Sequence, residues 1–517
     1  MNGPATYCRP AVRNGVSRLK PALPFFLLLL GACYLVYLLL LPSDAIFYSG
    51  DGGLKYLMTK QFLKGDVSPA LTLPSTPYLN DPGLNGMFPF DAPFVYAVGN
   101  RKVASFPLYF PLASAPFLKA LGWRGLYALP AAGVFLTWVL TLLLLLAAEV
   151  GTATICTVLV SLMFASPLTL YGGMFWEHAP ATFLAGIPLV LVLRKKGAHP
   201  TAASLFSLGV LSGAGVFLRP EVLVCVSSAL GACLLCLGNS RIRQILCFSG
   251  GVTLATGSFL IANQLIYGHP LGLHSVQVLH EGVRLSSLIQ EGASRTLKLL
   301  ALFHSYWPLG LFTLAGLPLA FIGSSRRKRE TLACFLVLVI SIPLIALIVP
   351  NIGGKQWGPR YLLVLIPWAA VTFGLVAEAV MQYRTLWVKA PAWLLLAICL
   401  ALGMELNTWQ GTMNLAEDYR LRILPALRLL EAQPQQVVIV SHQYIAMELS
   451  ALADTKIFLR VRNEEDISRV KTALLRQGIP SVLFVTFTSA EPPEGLGTFT
   501  ELGRSRIYTV SISKMGT

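Results

Sequence analysis

Lysine and arginine are concentrated in alternate connections between the apolar segments, and this alternation constrains the fold more than any other feature. Basic residues occupy the N-terminal tail and the connections 194–196, 241–243, 326–329 and 384–389. Connections on the cytoplasmic side of membrane proteins are enriched in Lys and Arg. The pattern therefore predicts a multi-pass membrane protein whose N-terminus lies in the cytoplasm.

The amino-acid composition supports a membrane location. Of the 517 residues, 55% are hydrophobic and only 12% are charged, whereas a soluble domain has about 25% charged residues. The net charge of +16 would also suit a nucleic-acid-binding protein. Basic residues held at the cytoplasmic face give the same total, so the sequence predicts the lipid bilayer as a partner and no nucleic acid.

Eleven apolar runs are long enough, or nearly so, to cross a bilayer. They are 22–41, 125–148, 152–173, 179–193, 202–218, 221–238, 245–266, 303–323, 331–349, 361–380 and 390–405. The stretch 103–121 is also apolar but contains three prolines, and we predict a broken helix at the outer interface. Counting it as a span would move the basic connections after it to the outside. The C-terminus is therefore predicted to be extracytoplasmic.

The last hundred residues have the pattern of a small α/β domain. Strands are predicted at 435–441, 456–461 and 481–487, with two more within 498–513. A helix over 463–478 begins with an Asn cap and three acidic residues and ends at a glycine. The predicted fold is thus mainly α, a membrane bundle of about eleven spans with a small C-terminal α/β domain. The predicted domains are 1–405, which includes a long first outer loop at 42–124, and 406–517.

The first outer loop contains the strongest candidate for chemistry. Asp51 lies among Gly50, Gly52 and Gly53 just beyond the first span, where backbone can approach a ligand closely. A carboxylate at this water boundary suits a general base. The same residues also fit a simple turn that caps a helix starting near Leu54.

Short outer connections supply further charged residues. Lys55 follows Asp51 by one helical turn and suits either a phosphate contact or an interfacial position with its charge in water. Glu177 and His178 lie between two spans and are constrained to the membrane surface, where ionisable residues are by default functional candidates. Arg219 either binds a ligand or pairs with Glu221.

The last outer connection carries Arg360 and Tyr361 at the start of a span. An Arg at this position suits a lipid-linked phosphate, and it equally suits an ordinary interfacial residue. Taken together, carboxylates and cations on one membrane face indicate a reaction with a phosphate leaving group. One carboxylate would deprotonate an acceptor hydroxyl while the cations stabilise the phosphate.

The chain resembles the GT-C superfamily of membrane glycosyltransferases, including the protein O-mannosyltransferase and aminoarabinose transferase group. The likeness covers roughly residues 22–405. It rests on the motifs 48–55 (YSGDGGLK), 106–111 (FPLYFP), 175–178 (FWEH), 218–221 (LRPE), Asn263 with 267–270 (YGHP), and 357–362 (WGPRYL).

The resemblance implies an inverting transferase at the outer face of a bacterial inner membrane. Its donor would be a sugar on a polyprenyl phosphate, and its acceptor a hydroxyl of a glycan, lipid or protein. By the family pattern Asp51 would be the general base, and Glu177, at the acidic position of the second outer loop that in some members helps to bind a metal, would be the second catalytic residue. Arg360 would hold the donor phosphate, with Lys55 as a further candidate. The motifs also mark His178, Arg219 and Tyr361 as substrate-binding.

The resemblance leaves the cofactor open. A divalent cation, Mg or Mn, is the one candidate, with Asp51 and Glu177 as its candidate ligands. The sequence departs from the metal-binding pattern of some members, because Gly52 follows Asp51 and no D-x-D occurs in the second outer loop. A competing interpretation is a transporter or flippase of a lipid-linked glycan, which would need polar groups along a central path.

Overall fold

The computed structural model describes residues 22–73, 76–193, 200–238, 241–272, 285–322, 327–349, 352–383 and 385–515. The chain is mostly helical, with a small sheet near the C-terminus. The basic residues at 194–196, 326 and 384 lie outside the described residues.

Every one of the eleven predicted apolar runs is helical over most of its length. The helices of this region are α1 (Ala22–Leu39), α2 (Gly50–Leu63), α3 (Thr76–Leu79), α4 (Tyr109–Leu121), α5 (Ala128–Ala147), α6 (Thr152–Phe164), α7 (Leu168–Gly172), α8 (His178–Gly186), α9 (Leu189–Val192), α10 (Ala202–Gly213), α11 (Glu221–Leu237), α12 (Ile242–Tyr267), α13 (Leu285–Tyr306), α14 (Leu309–Ile322), α15 (Lys328–Ile348), α16 (Ile366–Met381) and α17 (Leu386–Met404). Within the described residues, six helical stretches are long and apolar enough to cross a membrane, a bent pair is a seventh candidate, and four more apolar helices are shorter. The number that cross stays a prediction.

The predicted inner connections meet at one end of the bundle. Glu378 accepts a hydrogen bond of 2.7 Å from the Thr154 hydroxyl, and the Arg241 guanidinium donates to the Val192 carbonyl at 3.1 Å. These four residues flank or lie in four predicted inner connections, 149–151, 194–196, 241–243 and 384–389. The contacts join these connections two by two, and their location in the cytoplasm stays a prediction.

The Pro-rich stretch differs from its prediction. A hairpin of β1 (Val95–Val98) and β2 (Arg101–Ala104) precedes α4, and α4 is continuous through Pro116 instead of broken. Pro111 lies in the first turn, where a backbone N–H has no partner within the helix, so its ring is tolerated there. The interruption comes at Gly122, whose φ of +62° ends the helix.

The connection between the predicted runs 245–266 and 303–323 is itself partly helical. Its second half begins α13, which continues to Tyr306. The axes of α13 and α14 differ in direction by 100°, and Pro308 stands at the bend. The indole of Trp307 fixes the bend by donating to the Ser161 hydroxyl at 3.0 Å.

The C-terminal domain contains the three strands and the helix that the sequence predicts. Its elements are β3 (Val437–Val440), β4 (Ile457–Arg460), β5 (Ser481–Phe487), β6 (Thr498–Arg504) and β7 (Tyr508–Lys514), with helices α20 (Gln443–Glu448) and α21 (Glu464–Arg476). The strand order is β4-β3-β5-β7-β6. Strand β3 pairs in parallel with β4 and β5, and β7 is antiparallel to both its neighbours. The Asn463 side chain caps α21 by accepting from the Asp466 N–H at 2.8 Å.

A single helical stretch joins the membrane region to this domain. It extends from Leu386 to Glu431 and contains α17, α18 (Gly411–Glu417) and α19 (Leu424–Glu431), separated by two π-helical turns. The predicted boundary at residue 405 therefore falls inside a continuous helix, and the sheet itself starts only at Val437.

The C-terminal domain packs directly on α2. A Cβ added at Gly53 would lie 1.8 Å from the Met447 carbonyl oxygen, and one at Gly50 would lie 3.0 Å from the Met447 Cβ. Any larger side chain at residue 53 would push α20 away. On the other side of this contact, the Arg460 guanidinium lies 2.7 Å from the Asp91 carboxylate of the first outer loop. The domain is thus anchored to the segment that contains Asp51.

Candidate active site

Asp51 lies in the first turn of α2, which begins four residues earlier than the sequence predicts. Ser49 precedes the helix in extended conformation. A negative charge in the first turn interacts favourably with the helix dipole. The carboxylate is therefore held by helical backbone rather than by a separate turn before it.

Asp51 and Arg360 form an ion pair at the end of the bundle that faces the C-terminal domain. The distance from Arg360 Nη1 to Asp51 Oδ2 is 3.5 Å, and the two side chains are 15% and 18% exposed. Arg360 begins a 3-10 turn that leads into α16. We call Asp51 and Arg360 the outer pair.

Four charged side chains form a second group, which we call the buried cluster: Lys55, Glu177, Arg219 and Glu221. Lys55 Nζ lies 2.5 Å from Glu177 Oε2, and Arg219 Nη1 lies 3.2 Å from Glu177 Oε1. The Arg219 guanidinium also donates to both Glu221 oxygens, at 2.5 and 3.1 Å. Both oxygens of Glu177 thus face a cation.

The contacts of the buried cluster test the two alternatives that the sequence leaves open for Lys55 and for Arg219. Lys55 is 2% exposed, so the interfacial position with its charge in water is wrong. Arg219 does pair with Glu221, and it contacts Glu177 as well. These contacts join the first, second and third outer connections into one unit.

The electrostatics of the buried cluster favour the charged forms of Glu177 and Arg219. Burial alone would raise the pKa of Glu177, but Lys55, His178 and Arg219 together hold it well below its ordinary value. Burial works against the charge of Arg219 too, yet Glu221 and Glu177 hold its pKa above the ordinary value. The cluster is therefore a fixed arrangement of compensated charges.

Aromatic rings connect the outer pair with the buried cluster. The Arg360 Nη2 donates to the Tyr361 hydroxyl at 3.0 Å, and the guanidinium groups of Arg360 and Arg219 lie 4.9 and 5.3 Å from the centroid of the same ring. Trp176 lies 5.8 Å from Arg360 on another side. The Tyr361 ring attracts both guanidinium groups and so holds Arg360 and Arg219 near each other although they carry the same charge.

His178 lies beneath these rings. It is 4% exposed, and its ring is 5.3 Å from that of Trp176 and 5.6 Å from that of Tyr171. Neither of its ring nitrogens has a hydrogen-bond partner among the described residues. Its contribution in this state is aromatic packing beside Glu177.

A third ionic group, which no local sequence pattern indicates, ties the C-terminal domain to the site. Lys355 Nζ lies 3.2 Å from Asp418 and 3.7 Å from Glu448. Glu448 also accepts a hydrogen bond of 2.5 Å from the Tyr508 hydroxyl, and Arg422 lies 2.6 Å from Asp418. Lys355 is five residues before Arg360, so this group fixes the connection that presents Arg360.

Asp51 and Glu177 do not fit a divalent cation in this arrangement. Across the ranges that the structure describes, no three His, Cys, Asp or Glu side chains gather as metal ligands. Moreover, each of the two carboxylates already faces a cationic side chain. A metal between them would have to displace Arg360 or the Lys55 ammonium.

Comparison with known proteins identifies the fold. No protein-family model matches this sequence, and no curated protein is significantly similar to it. In contrast, the apo structure of ArnT, an aminoarabinose transferase from Cupriavidus metallidurans, superposes with a TM-score of 0.56 at 11% identity, covering 94% of this chain and 98% of that one. The chain has the GT-C fold.

Two further solved structures are similar to the chain. ArnT of the same organism bound to undecaprenyl phosphate gives a TM-score of 0.54 at 9% identity, covering 94% of this chain and 97% of that one. An oligosaccharyltransferase from Archaeoglobus fulgidus gives 0.47 at 12% identity, covering 90% and 70%. The two ArnT superpositions confirm the fold that the resemblance implies.

Proposed function

We propose that the protein is an inverting glycosyltransferase that moves a sugar from a polyprenyl-phosphate donor to a hydroxyl group. The observation that carries this proposal is the outer pair. A partly exposed carboxylate and guanidinium lie 3.5 Å apart, over a GT-C bundle, where an acceptor can reach one and a phosphate the other. The ArnT structure with undecaprenyl phosphate supports a donor of this lipid class.

Arg360 is the proposed ligand of the donor phosphate. A guanidinium presents two N–H groups in one plane and matches two phosphate oxygens. The long Asp51–Arg360 contact is weaker than a hydrogen-bonded pair, so a phosphate can replace Asp51 at Arg360. That exchange would free the Asp51 carboxylate for the acceptor.

Asp51 then acts as the general base. It takes the proton of the acceptor hydroxyl while the acceptor oxygen forms a bond to the anomeric carbon. The bond between that carbon and the phosphate oxygen breaks, and the polyprenyl phosphate leaves with the electron pair. Attack opposite the leaving group inverts the configuration, and Arg360 compensates the charge that develops on the phosphate.

Glu177 is the proposed positioning residue of the site rather than its second acid. Each of its oxygens already faces a cation, and those contacts hold it away from a proton-transfer role. Its function would be to hold Lys55 and Arg219 in place beside Arg360. Lys55, Arg219, His178 and Tyr361 stay proposed substrate-binding residues on this basis.

The reaction is proposed to take place at the outer face of a bacterial inner membrane. The alternation of basic connections supports this side, because the contacts of Glu378 and Arg241 lie among the predicted cytoplasmic connections. The acceptor would then be a glycan, lipid or protein of the cell envelope.

The test is transfer from defined donors by the protein reconstituted in liposomes. Undecaprenyl-phosphate sugars are offered with isolated envelope fractions, and released undecaprenyl phosphate is measured. We expect Asp51→Asn to lower the transfer rate by about 10²–10⁴, the usual contribution of a general base, without changing thermal stability. Asp66→Asn, an exposed change in the same loop, is the matched control.

Two results would reject the proposal. One is full transfer by the Asp51→Asn variant. The other is a wild-type protein that releases no polyprenyl phosphate from any donor but moves lipid-linked sugars across the bilayer, which would favour a flippase. Accumulation of undecaprenyl-phosphate sugars in cells lacking the protein would support the transferase.

A further inference from the structure

Three aromatic side chains form a row from the surface of the C-terminal domain to the buried cluster. We call Tyr444, Phe94 and Phe106 the aromatic row. The ring centroids of Tyr444 and Phe94 are 5.3 Å apart, and those of Phe94 and Phe106 are 6.4 Å apart. Lys55 Nζ lies 4.8 Å from the centroid of Phe106. The row thus ends at a cation of the proposed site.

The outer end of the row is open to solvent and close to the outer pair. Tyr444 is 42% exposed. Burial and the nearby Asp51 carboxylate both raise the pKa of Tyr444. The His442 ring stacks on Tyr444, with centroids 4.8 Å apart and planes at 21°, and so fixes its orientation.

Polar side chains flank the row. The Asp91 carboxylate is 40% exposed between Arg460, at 2.7 Å, and Arg462, at 3.4 Å. The Gln443 side chain accepts from the Asp91 N–H at 3.0 Å, which ties this loop to α20. An aromatic face therefore lies next to exposed carboxylate and guanidinium groups.

A sugar ring fits this combination better than an acyl chain. A pyranose has an apolar face of C–H groups, which packs on the electron-rich face of an aromatic ring. Its hydroxyl groups at the edge need donors and acceptors such as Asp91 and Arg462. An acyl chain at this place would remove water from those exposed charged groups and offer them no hydrogen bonds in exchange.

We propose that the aromatic row is the acceptor subsite and that the acceptor is a glycan. This inference rests on the proposed transferase function and specifies its acceptor class. A sugar ring packed on the side of Tyr444 that His442 does not cover extends toward Asp51, which then receives the proton of the next hydroxyl in the chain. The C-terminal domain is thus part of the acceptor site.

The test measures sugar binding apart from transfer. The full-length protein is placed in phospholipid nanodiscs, since sugar-headed detergents would compete, and saturation-transfer NMR is recorded with a panel of methyl pyranosides. We expect contact with the C–H protons of one sugar face. Tyr444→Ala should weaken binding roughly tenfold, equal to about 1.4 kcal/mol, whereas Tyr444→Phe should keep it. Tyr37→Ala removes a ring that is 52% exposed on α1 and is the matched control.

The outcomes separate this inference from the transferase proposal. Asp51→Asn should bind the sugar normally and lose transfer. Normal transfer by that variant would reject Asp51 as the general base. The measurement of sugar binding at Tyr444 would remain valid. The acceptor subsite is rejected if no pyranoside binds the wild type, if Tyr444→Ala binds as well as wild type, or if a threonine-containing peptide is what competes at Tyr444.

Discussion

The outer pair and the buried cluster both consist of carboxylates and cationic side chains. They differ in how closely each carboxylate is paired with a cation. In the outer pair one contact of 3.5 Å joins two partly exposed side chains. In the buried cluster Glu177 contacts two cations, at 2.5 and 3.2 Å, and is almost fully buried. The loosely held carboxylate remains available to a substrate, whereas the fully compensated one fixes the geometry around it.

Removing the charge of Glu177 should have the largest effect on stability. Glu177→Gln leaves Lys55 buried without its carboxylate, and breaking a buried ion pair in this way costs about 3–5 kcal/mol. Thermal unfolding in nanodiscs should show the loss. Asp51→Asn is the comparison, and equal losses in the two variants would remove the distinction between the pair and the cluster.

A double variant should recover part of that loss. Lys55→Met in the Glu177→Gln background removes the orphaned ammonium, so the double variant should be more stable than the sum of the single changes predicts. Residues in direct contact show coupling of about 0.5–3 kcal/mol. Strict additivity in the unfolding measurements would mean that the two side chains are not an ion pair.

Replacing each arginine by lysine should affect different properties. Arg360→Lys keeps the charge but loses the planar pair of donors, and we expect the KM for the lipid-linked donor to rise roughly tenfold, or about 1.4 kcal/mol, with little change in stability. Arg219→Lys loses the two-bond contact with Glu221 and should lower stability instead. If Arg219→Lys raised the KM and Arg360→Lys lowered stability, Arg219 would be the phosphate ligand and Arg360 the structural residue.

Glu448 extends the comparison to a buried carboxylate with a more distant cation. Burial raises its pKa, and Lys355 at 3.7 Å only partly opposes this. In the folded state Glu448 thus holds its proton above its ordinary pKa of 4.5, so its contribution to stability falls as the pH rises through that window. Relative to Glu448→Gln, the wild type should lose less than about 1.4 kcal/mol per pH unit, measured by unfolding at several pH values. A flat difference would show that Glu448 titrates normally.

Local signals in the sequence account for much of the fold. The Asn463 cap and the continuous apolar run of β5 are properties of consecutive residues, so both are predicted close to their observed places. Charged residues in short connections are likewise constrained to the ends of spans. The prediction that Asp51 and Arg360 share one end of the bundle needs no knowledge of packing.

The remaining features depend on contacts between distant residues. Lys55 and Glu177 are 122 positions apart, and no pattern around either residue names the other as its partner. Asp418 lies inside a continuous helix, where nothing in the local sequence sets it apart. Glu448 ends a helix of six residues, which is too short to show a helical period of apolar residues. The sequence indicates only that Gly50 and Gly53 give the backbone conformational freedom. In the structure these glycines also make room for Met447.

The packing of Met447 on Gly53 has a consequence for how the protein is made. The two residues are separated by most of the chain, so a ribosome has finished all the membrane helices before α20 emerges to settle on α2. Until then the nascent chain has no Tyr444 beside Asp51 and no Glu448 to hold Lys355. A half-synthesised protein in the translocon therefore lacks both the cover over the first turn of α2 and the ion pair that fixes the connection before Arg360.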